Sequence, residues 1–241
     1  RQKGEMMSMN SSLRRLIVHE QPKSPIAEAY RTLRTNIQYA RVDGDLKVLL
    51  FTSAGPGEGK STVAANSAVA LAQTGRRVIL VDCDLRKPVQ HHLFNLNKKG
   101  LTNCLVGESP AAELLQDTEI DGLRVLTSGP IPPNPAELLG STRMDRLLAE
   151  LRGLTDYLIL DCPPVIAVTD ACVLAPKADG VLLVLDADQV RPEMAEKAKE
   201  LLTNAQGRIL GAILNRVEVE QEHSYYYYYY GHKNKDGKKE G

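Results

Sequence analysis

Residues Ser53-Ala54-Gly55-Pro56-Gly57-Glu58-Gly59-Lys60-Ser61-Thr62 stand between the apolar run Val48-Leu49-Leu50-Phe51 and a helical pattern rich in alanine and valine. The implied order is strand, glycine loop, helix. Glycines 55, 57 and 59 open backbone conformations that a Cβ would close, so successive N–H groups can turn inward around phosphate oxygens. The helix opening near Lys60 adds its positive dipole end at the same point. On this pattern Gly55, Gly57, Glu58, Gly59, Lys60, Ser61 and Thr62 form a nucleotide-binding stretch, with Lys60 reaching the β/γ-phosphates and the Ser61 hydroxyl on Mg²⁺. Ala54 replaces the first glycine of G-x-x-x-x-G-K-[ST], but the flanking strand and helix supply the context that a bare match lacks.

Other apolar runs decide what surrounds this loop. Val78-Ile79-Leu80-Val81, Tyr157-Leu158-Ile159-Leu160, Val181-Leu182-Leu183-Val184-Leu185 and Ile209-Leu210-Gly211-Ala212-Ile213-Leu214 are continuously apolar, with no polar alternation. Such runs read as core strands covered on both faces, hence a parallel sheet. Leu123-Arg124-Val125-Leu126 adds a shorter strand, and helical patterns run over 60–73, 136–152 and 191–204. The first of these is stopped by Gly75. Strands alternating with helices predict an α/β domain with a doubly wound, mostly parallel sheet flanked by helices. A further helix over 25–41, opened by Ser24 as cap and Pro25 at its first position, precedes the first strand and falls outside that winding.

At 241 residues with 43% hydrophobic side chains, one such core fits the length. The expected division is an N-terminal extension over 1–23 with no fold assigned, a single domain over 24–217 and a flexible tail over 218–241. Formal net charge is zero, which gives no argument for a nucleic-acid partner. Cys83, Cys104, Cys162 and Cys172 lack metal-ligand spacing and read as reduced, packed thiols. His91 and His92, adjacent on a helical stretch, point in different directions and read as surface residues. No apolar stretch approaches the roughly 18 residues needed to cross a bilayer, so a soluble cytoplasmic protein is expected.

Acidic residues close two of the core strands. Asp82 and Asp84 lie in Asp82-Cys83-Asp84-Leu85-Arg86-Lys87-Pro88, and Asp161 in Leu160-Asp161-Cys162-Pro163-Pro164. Ligands of parallel sheets sit beyond the carboxyl ends of the strands, so these carboxylates belong in the crevice of the glycine loop. Beside phosphate they suggest Mg²⁺, an ion of oxygen ligands and retained waters. The parts are those of phosphoryl transfer, in which positioning and charge neutralisation dominate. Asp84 and Asp161 are the expected Mg²⁺ ligands, Asp82 the candidate base, and Arg86 and Lys87 the cations for charge on the transferring group. A bland alternative for Asp82 is a helix cap or a ribose contact.

Two further features concern partners. Tyr225, Tyr226, Tyr227, Tyr228, Tyr229 and Tyr230 form an unbroken run in the polar tail. Such a run is costly for solubility and suits no strand or helix face, so it reads as a set of phosphate acceptors. Phosphorylation would add ~1.5 to 2 negative charges at each tyrosine, enough for a switch in assembly. Glu28, Arg31 and Arg34, three apart on the first helix, form a charged stripe that pattern alone leaves open between a solvated face and an interface.

These motifs, in this order, resemble the bacterial tyrosine kinases of the BY type, deviant-Walker P-loop NTPases that partner polysaccharide co-polymerases in capsule and exopolysaccharide export. The resemblance spans 24–230. It implies a tyrosine autokinase using ATP and Mg²⁺, with Lys60 on the phosphates, Ser61 and Asp161 at the metal, Asp84 near it, and Asp82 as base with a water-mediated metal contact. Asn215 and Arg216 are implied at the adenine. Glu28, Arg31 and Arg34 match the family's E-x-x-R-x-x-R interface motif, implying a homo-oligomeric ring, an octamer by analogy, that phosphorylates its tails in trans and then disassembles. A transmembrane activator whose cytoplasmic tail recruits the kinase to the inner face of the plasma membrane, and a cognate tyrosine phosphatase, are the implied partners. The competing class is a non-kinase deviant-Walker ATPase switch. Members of that class carry a second, earlier lysine in the loop and no tyrosine tail, whereas Ala54-Gly55-Pro56-Gly57 has no lysine.

Overall fold

The computed structural model describes residues 16–40 and 46–217. Seven strands form one sheet: β1 (Val48–Ser53), β2 (Val78–Asp82), β3 (Gln116–Asp117), β4 (Leu123–Leu126), β5 (Tyr157–Asp161), β6 (Gly180–Asp186) and β7 (Ile209–Asn215). Their order across the sheet is β3-β4-β2-β5-β1-β6-β7, parallel throughout except for the β3–β4 pair. The first strand lies near the middle with its neighbours added on both sides, the doubly wound arrangement that its apolar runs predict.

Side-chain alternation along these strands divides the core into two layers. Val48, Leu50, Ile79, Val81, Leu158 and Leu160 face one side, where they pack with Leu139, Met144, Leu148, Leu151, Leu174 and Leu202. Leu49, Phe51, Leu80 and Ile159 face the other, against Val63, Ala64, Ala68 and Leu71 of the helix Lys60–Ala72. Small residues on that helix let it lie close against the sheet, and this seats the glycine loop at the ends of β1 and β5.

Several sequence expectations need correction. Residues 16–23 are not outside the domain: the short helix Ile17–Glu20 buries Val18, whose N–H donates to Asn66 Oδ1 at 3.0 Å and whose carbonyl accepts from Gln73 Nε2. The helix Pro25–Tyr39, capped by Ser24 through the Ala27 N–H, likewise packs on Lys60–Ala72 with Ala27 and Ile37 buried. The expected 136–152 helix is two, Pro135–Gly140 and Thr142–Leu154, because Ser141 caps the second by accepting from Met144 N. β7 is an edge strand whose residues are only partly buried, with Leu214 exposed, and not the core strand its apolar run suggests. Its outer edge has no neighbouring strand among the described residues. The thiols of Cys83 and Cys162 are buried and free, as expected of packed cysteines.

Candidate active site

The chain turns from β1 into the glycine loop and then into Lys60–Ala72 without a break. Gly57 and Gly59 have φ of +85° and +86°, the left-handed region that favours glycine, and Gly59 occupies the cap position of the helix. A Cβ on Gly59 would also stand 2.3 Å from Asn215 Nδ2. Gly55 has neither constraint, so the chain's own atoms require glycine only at 57 and 59. The buried carboxylate of Glu58 accepts the Gly55 N–H at 2.8 Å. Burial pushes the Glu58 pKa up, and the backbone N–H groups of Gly55, Asp186 and Ala54 oppose that rise.

Lys60, Asp84 and Asp161 converge at the carboxyl ends of β1, β2 and β5. Lys60 Nζ lies 2.9 Å from Asp84 Oδ2, 3.2 Å from Asp161 Oδ1 and 3.1 Å from Ser61 Oγ. Burial alone would favour loss of the lysine proton, but Asp161 and Asp84 outweigh it and hold the pKa above the ordinary lysine value. Asp82 sits opposite Asp161 in the β2–β5 register and is fully buried. Its Oδ1 accepts Asp84 N, while Oδ2 accepts both Val89 N at 3.1 Å and Gln90 N at 3.0 Å, at the start of the helix Gln90–Leu93. The helix-cap alternative for Asp82 is therefore observed. Burial, with Asp161 adding to it, raises the Asp82 pKa to about 8.

Three buried carboxylates around one ammonium leave a surplus of negative charge that a hard divalent cation would balance. Among the described residues no three His, Cys, Asp or Glu side chains already form a cation cage. Mg²⁺ takes one or two carboxylates and completes its shell with waters and substrate phosphate oxygens. Ser61, Asp82, Asp84 and Asp161 thus fit as its surroundings.

Arg86 does not project freely into the crevice. Its Nε and Nη2 bond both oxygens of the buried Asp170 at 3.1 to 3.2 Å, a bidentate pair that pattern reading missed because Asp170 is 84 positions away. Gln90 is the second residue missed: it is fully buried and its Nε2 reaches Asp161 Oδ2 at 2.8 Å. Asn215 and Arg216 lie on the loop itself. Asn215 Nδ2 donates to Glu58 O at 2.9 Å, and Arg216 donates to Gly57 O at 3.0 Å and pairs with Asp186. His91 is buried, not on the surface, because Gln90–Leu93 lies on the Asp82 cap; burial, His92 and Lys98 lower its pKa. His92 is exposed, as expected. Two surface clefts, of about 370 and 610 Å³, open at the opposite ends of β2 and β4 around Arg77, Ile120 and Gly122. They hold none of these groups, and the convergent carboxylates place the chemistry at the crevice.

The comparisons with known proteins agree with this fold. The ParA family model, described as NUBPL iron-transfer P-loop NTPase, matches residues 46–239. The chimerical protein CapA2B2, known from its crystal structure, superposes with a TM-score of 0.81 at 44% identity, over 85% of this chain and 90% of that one. A putative tyrosine-protein kinase, CapB of Staphylococcus aureus, is 40% identical over 217 residues, which is 90% of this chain and 95% of its own. Tyrosine-protein kinase YwqD of Bacillus subtilis (strain 168) is 49% identical over 203 residues, 84% of this chain and 86% of its own. The chain belongs to the bacterial tyrosine kinase (BY-kinase) family. It is a protein-tyrosine kinase on a P-loop NTPase fold.

In this BY-kinase the N-terminal stripe is largely engaged within the chain. Glu28 pairs with Arg31 at 2.8 Å, and Arg31 also donates to Pro22 O. Arg34 Nη1 donates to Ala70 O at 3.2 Å, tethering the first long helix to the loop helix. Glu28 remains exposed, and Arg31 and Arg34 are partly so. No helix among the described residues is long and apolar enough to cross a membrane. Tyr225 to Tyr230 lie outside the described residues.

Proposed function

We propose that this kinase transfers the γ-phosphoryl group of MgATP to Tyr225–Tyr230 of a neighbouring copy. The convergence of Lys60, Asp82, Asp84 and Asp161 beneath the glycine loop carries this reading. Nucleotide phosphates would draw Lys60 away from Asp84 and Asp161, freeing both carboxylates as its charge moves to the substrate. Ser61, Asp84 and Asp161 would hold Mg²⁺, which would supply charge neutralisation for the phosphates. Glu58, Ser61 and Thr62 belong to the loop that cradles them, and Asn215 and Arg216 border the adenine.

Transfer forms a bond between the tyrosine Oη and the γ-phosphorus and breaks the bond to the β-phosphate oxygen, releasing ADP. Asp82 takes the tyrosine proton. A tyrosine hydroxyl has a pKa of about 10; burial raises the Asp82 carboxyl, with Asp161 adding to it, so its ionised form is a stronger acceptor than an ordinary carboxylate. Three N–H donors on Asp82 fix its orientation, and Oδ1, with a single donor, keeps a lone pair for the proton. Arg86, with Nε and Nη2 on Asp170, would offer its remaining N–H groups to charge on the transferring group.

The same reading includes a homo-oligomeric ring, an octamer by family analogy, joined through Glu28, Arg31 and Arg34 and released when the tails are phosphorylated. Its setting is capsular or exopolysaccharide export: a transmembrane activator at the inner face of the plasma membrane switches the kinase on, and a tyrosine phosphatase resets it. A mixing experiment tests transfer between copies. A Lys60→Met chain keeps its tyrosines but loses its phosphate ligand, and a chain with Tyr225–Tyr230 changed to Phe keeps its site but loses its acceptors. Phosphate appearing on the Lys60→Met chain only after mixing supports transfer in trans. No phosphate on either chain, with the activator tail and MgATP present, contradicts it.

A further inference from the structure

Gln90 touches residues from all three motifs of the crevice. Its Nε2 donates to Asp161 Oδ2 at 2.8 Å and to the Ser61 carbonyl at 3.1 Å, while its own N–H donates to Asp82 Oδ2 at 3.0 Å. Both Nε2 partners are obligate acceptors, so the amide orientation is fixed: turned over, the side-chain carbonyl would face a carboxylate. Gln90 is completely buried, and Oε1 has no hydrogen-bond partner among the described residues. An unsatisfied buried amide oxygen is costly unless something else supplies a donor. A water in the shell of a cation held by the neighbouring carboxylates is such a donor.

We propose that Gln90 is a positioning residue for the cation site: it holds Asp161 and the Ser61 turn in register with Asp82, and offers Oε1 to a cation-bound water. This rests on the reading that Asp161 lies at Mg²⁺. With one Asp161 oxygen on Gln90 and the other on Lys60, the carboxylate plane is fixed before any ligand arrives. Residues that orient metal ligands in this way typically contribute 10- to 100-fold to metal affinity.

The test is a Mg²⁺ titration of the full chain with a fluorescent ADP analogue, comparing the parent with Gln90→Met, Gln90→Leu and Asp161→Asn. The expected result is a rise of about tenfold in the Mg²⁺ concentration for half-maximal response in both Gln90 variants. Affinity for the analogue in EDTA stays within about twofold, a separation that a merely structural loss would not produce. Thermal unfolding identifies any variant that fails to fold, and the other Gln90 variant then decides. A Mg²⁺ requirement unchanged in the folded Gln90 variants but raised in Asp161→Asn overturns the role of Gln90 alone. A requirement unchanged in Asp161→Asn overturns the metal reading beneath it.

Discussion

Lys60 Nζ stands 2.9 Å from Asp84 Oδ2, so the cation expected on nucleotide phosphates is held by a carboxylate of the second motif. Lys60→Met therefore does more than remove a phosphate ligand: it leaves Asp82, Asp84 and Asp161 buried without their ammonium. Stripping one partner from a buried ion pair costs about 3–5 kcal/mol. Urea unfolding in EDTA should show a loss of that order, and millimolar Mg²⁺ should return part of it. An unchanged midpoint in EDTA would show that the carboxylates do not depend on Lys60.

The Arg86–Asp170 pair is asymmetric, with Asp170 fully buried and the Arg86 side chain 40% exposed. Arg86→Ala strands a buried carboxylate and should cost about 3 kcal/mol. Asp170→Asn leaves a guanidinium that can turn to water, and should cost about 1–2 kcal/mol. Equal losses in denaturant unfolding would contradict this account.

Two loop glycines should respond unequally. Gly59→Ala meets both the φ of +86° and the Asn215 amide, and should weaken nucleotide binding at least about tenfold, as an unfavourable backbone region alone costs on the order of 1–3 kcal/mol. Adding Asn215→Ala relieves the contact but not the backbone, so it should restore little. Gly55→Ala meets neither obstacle and should bind nucleotide nearly as the parent does. Calorimetric titration with ADP separates the three.

Tyr30, on the first long helix, has its pKa raised by burial to about 12. The folded chain keeps a proton that the unfolded chain releases near the ordinary value of about 10. Stability from this group therefore falls as pH rises from about 10 to about 12. The unfolding temperature of Tyr30→Phe should gain on the parent across that interval, and a constant difference would sink the assignment.

Much of this layout is legible in the sequence because continuous apolar runs and glycine punctuation are local signals. Val78–Val81 and Tyr157–Leu160 report burial on both faces, and the aspartates that close them report the crevice. Contacts between distant positions leave no such trace. Nothing near Arg86 announces Asp170, and Gln90 looks like any polar residue on a short helix until Asp161 is placed against it. The edge position of β7 is also invisible locally, since Ile209–Leu214 is as apolar as a core strand and only the sheet order shows that it lacks an outer neighbour among the described residues.

The most direct test of the central claim is intact mass after incubation with ATP and Mg²⁺, for the parent, Lys60→Met and the chain with Tyr225–Tyr230 changed to Phe, each with the activator tail supplied and hydrolysis followed in parallel. A tyrosine autokinase gains phosphate in steps on the parent tail and on neither variant. Hydrolysis of ATP with no phosphate on the protein would contradict the account and leave an ATPase switch in its place.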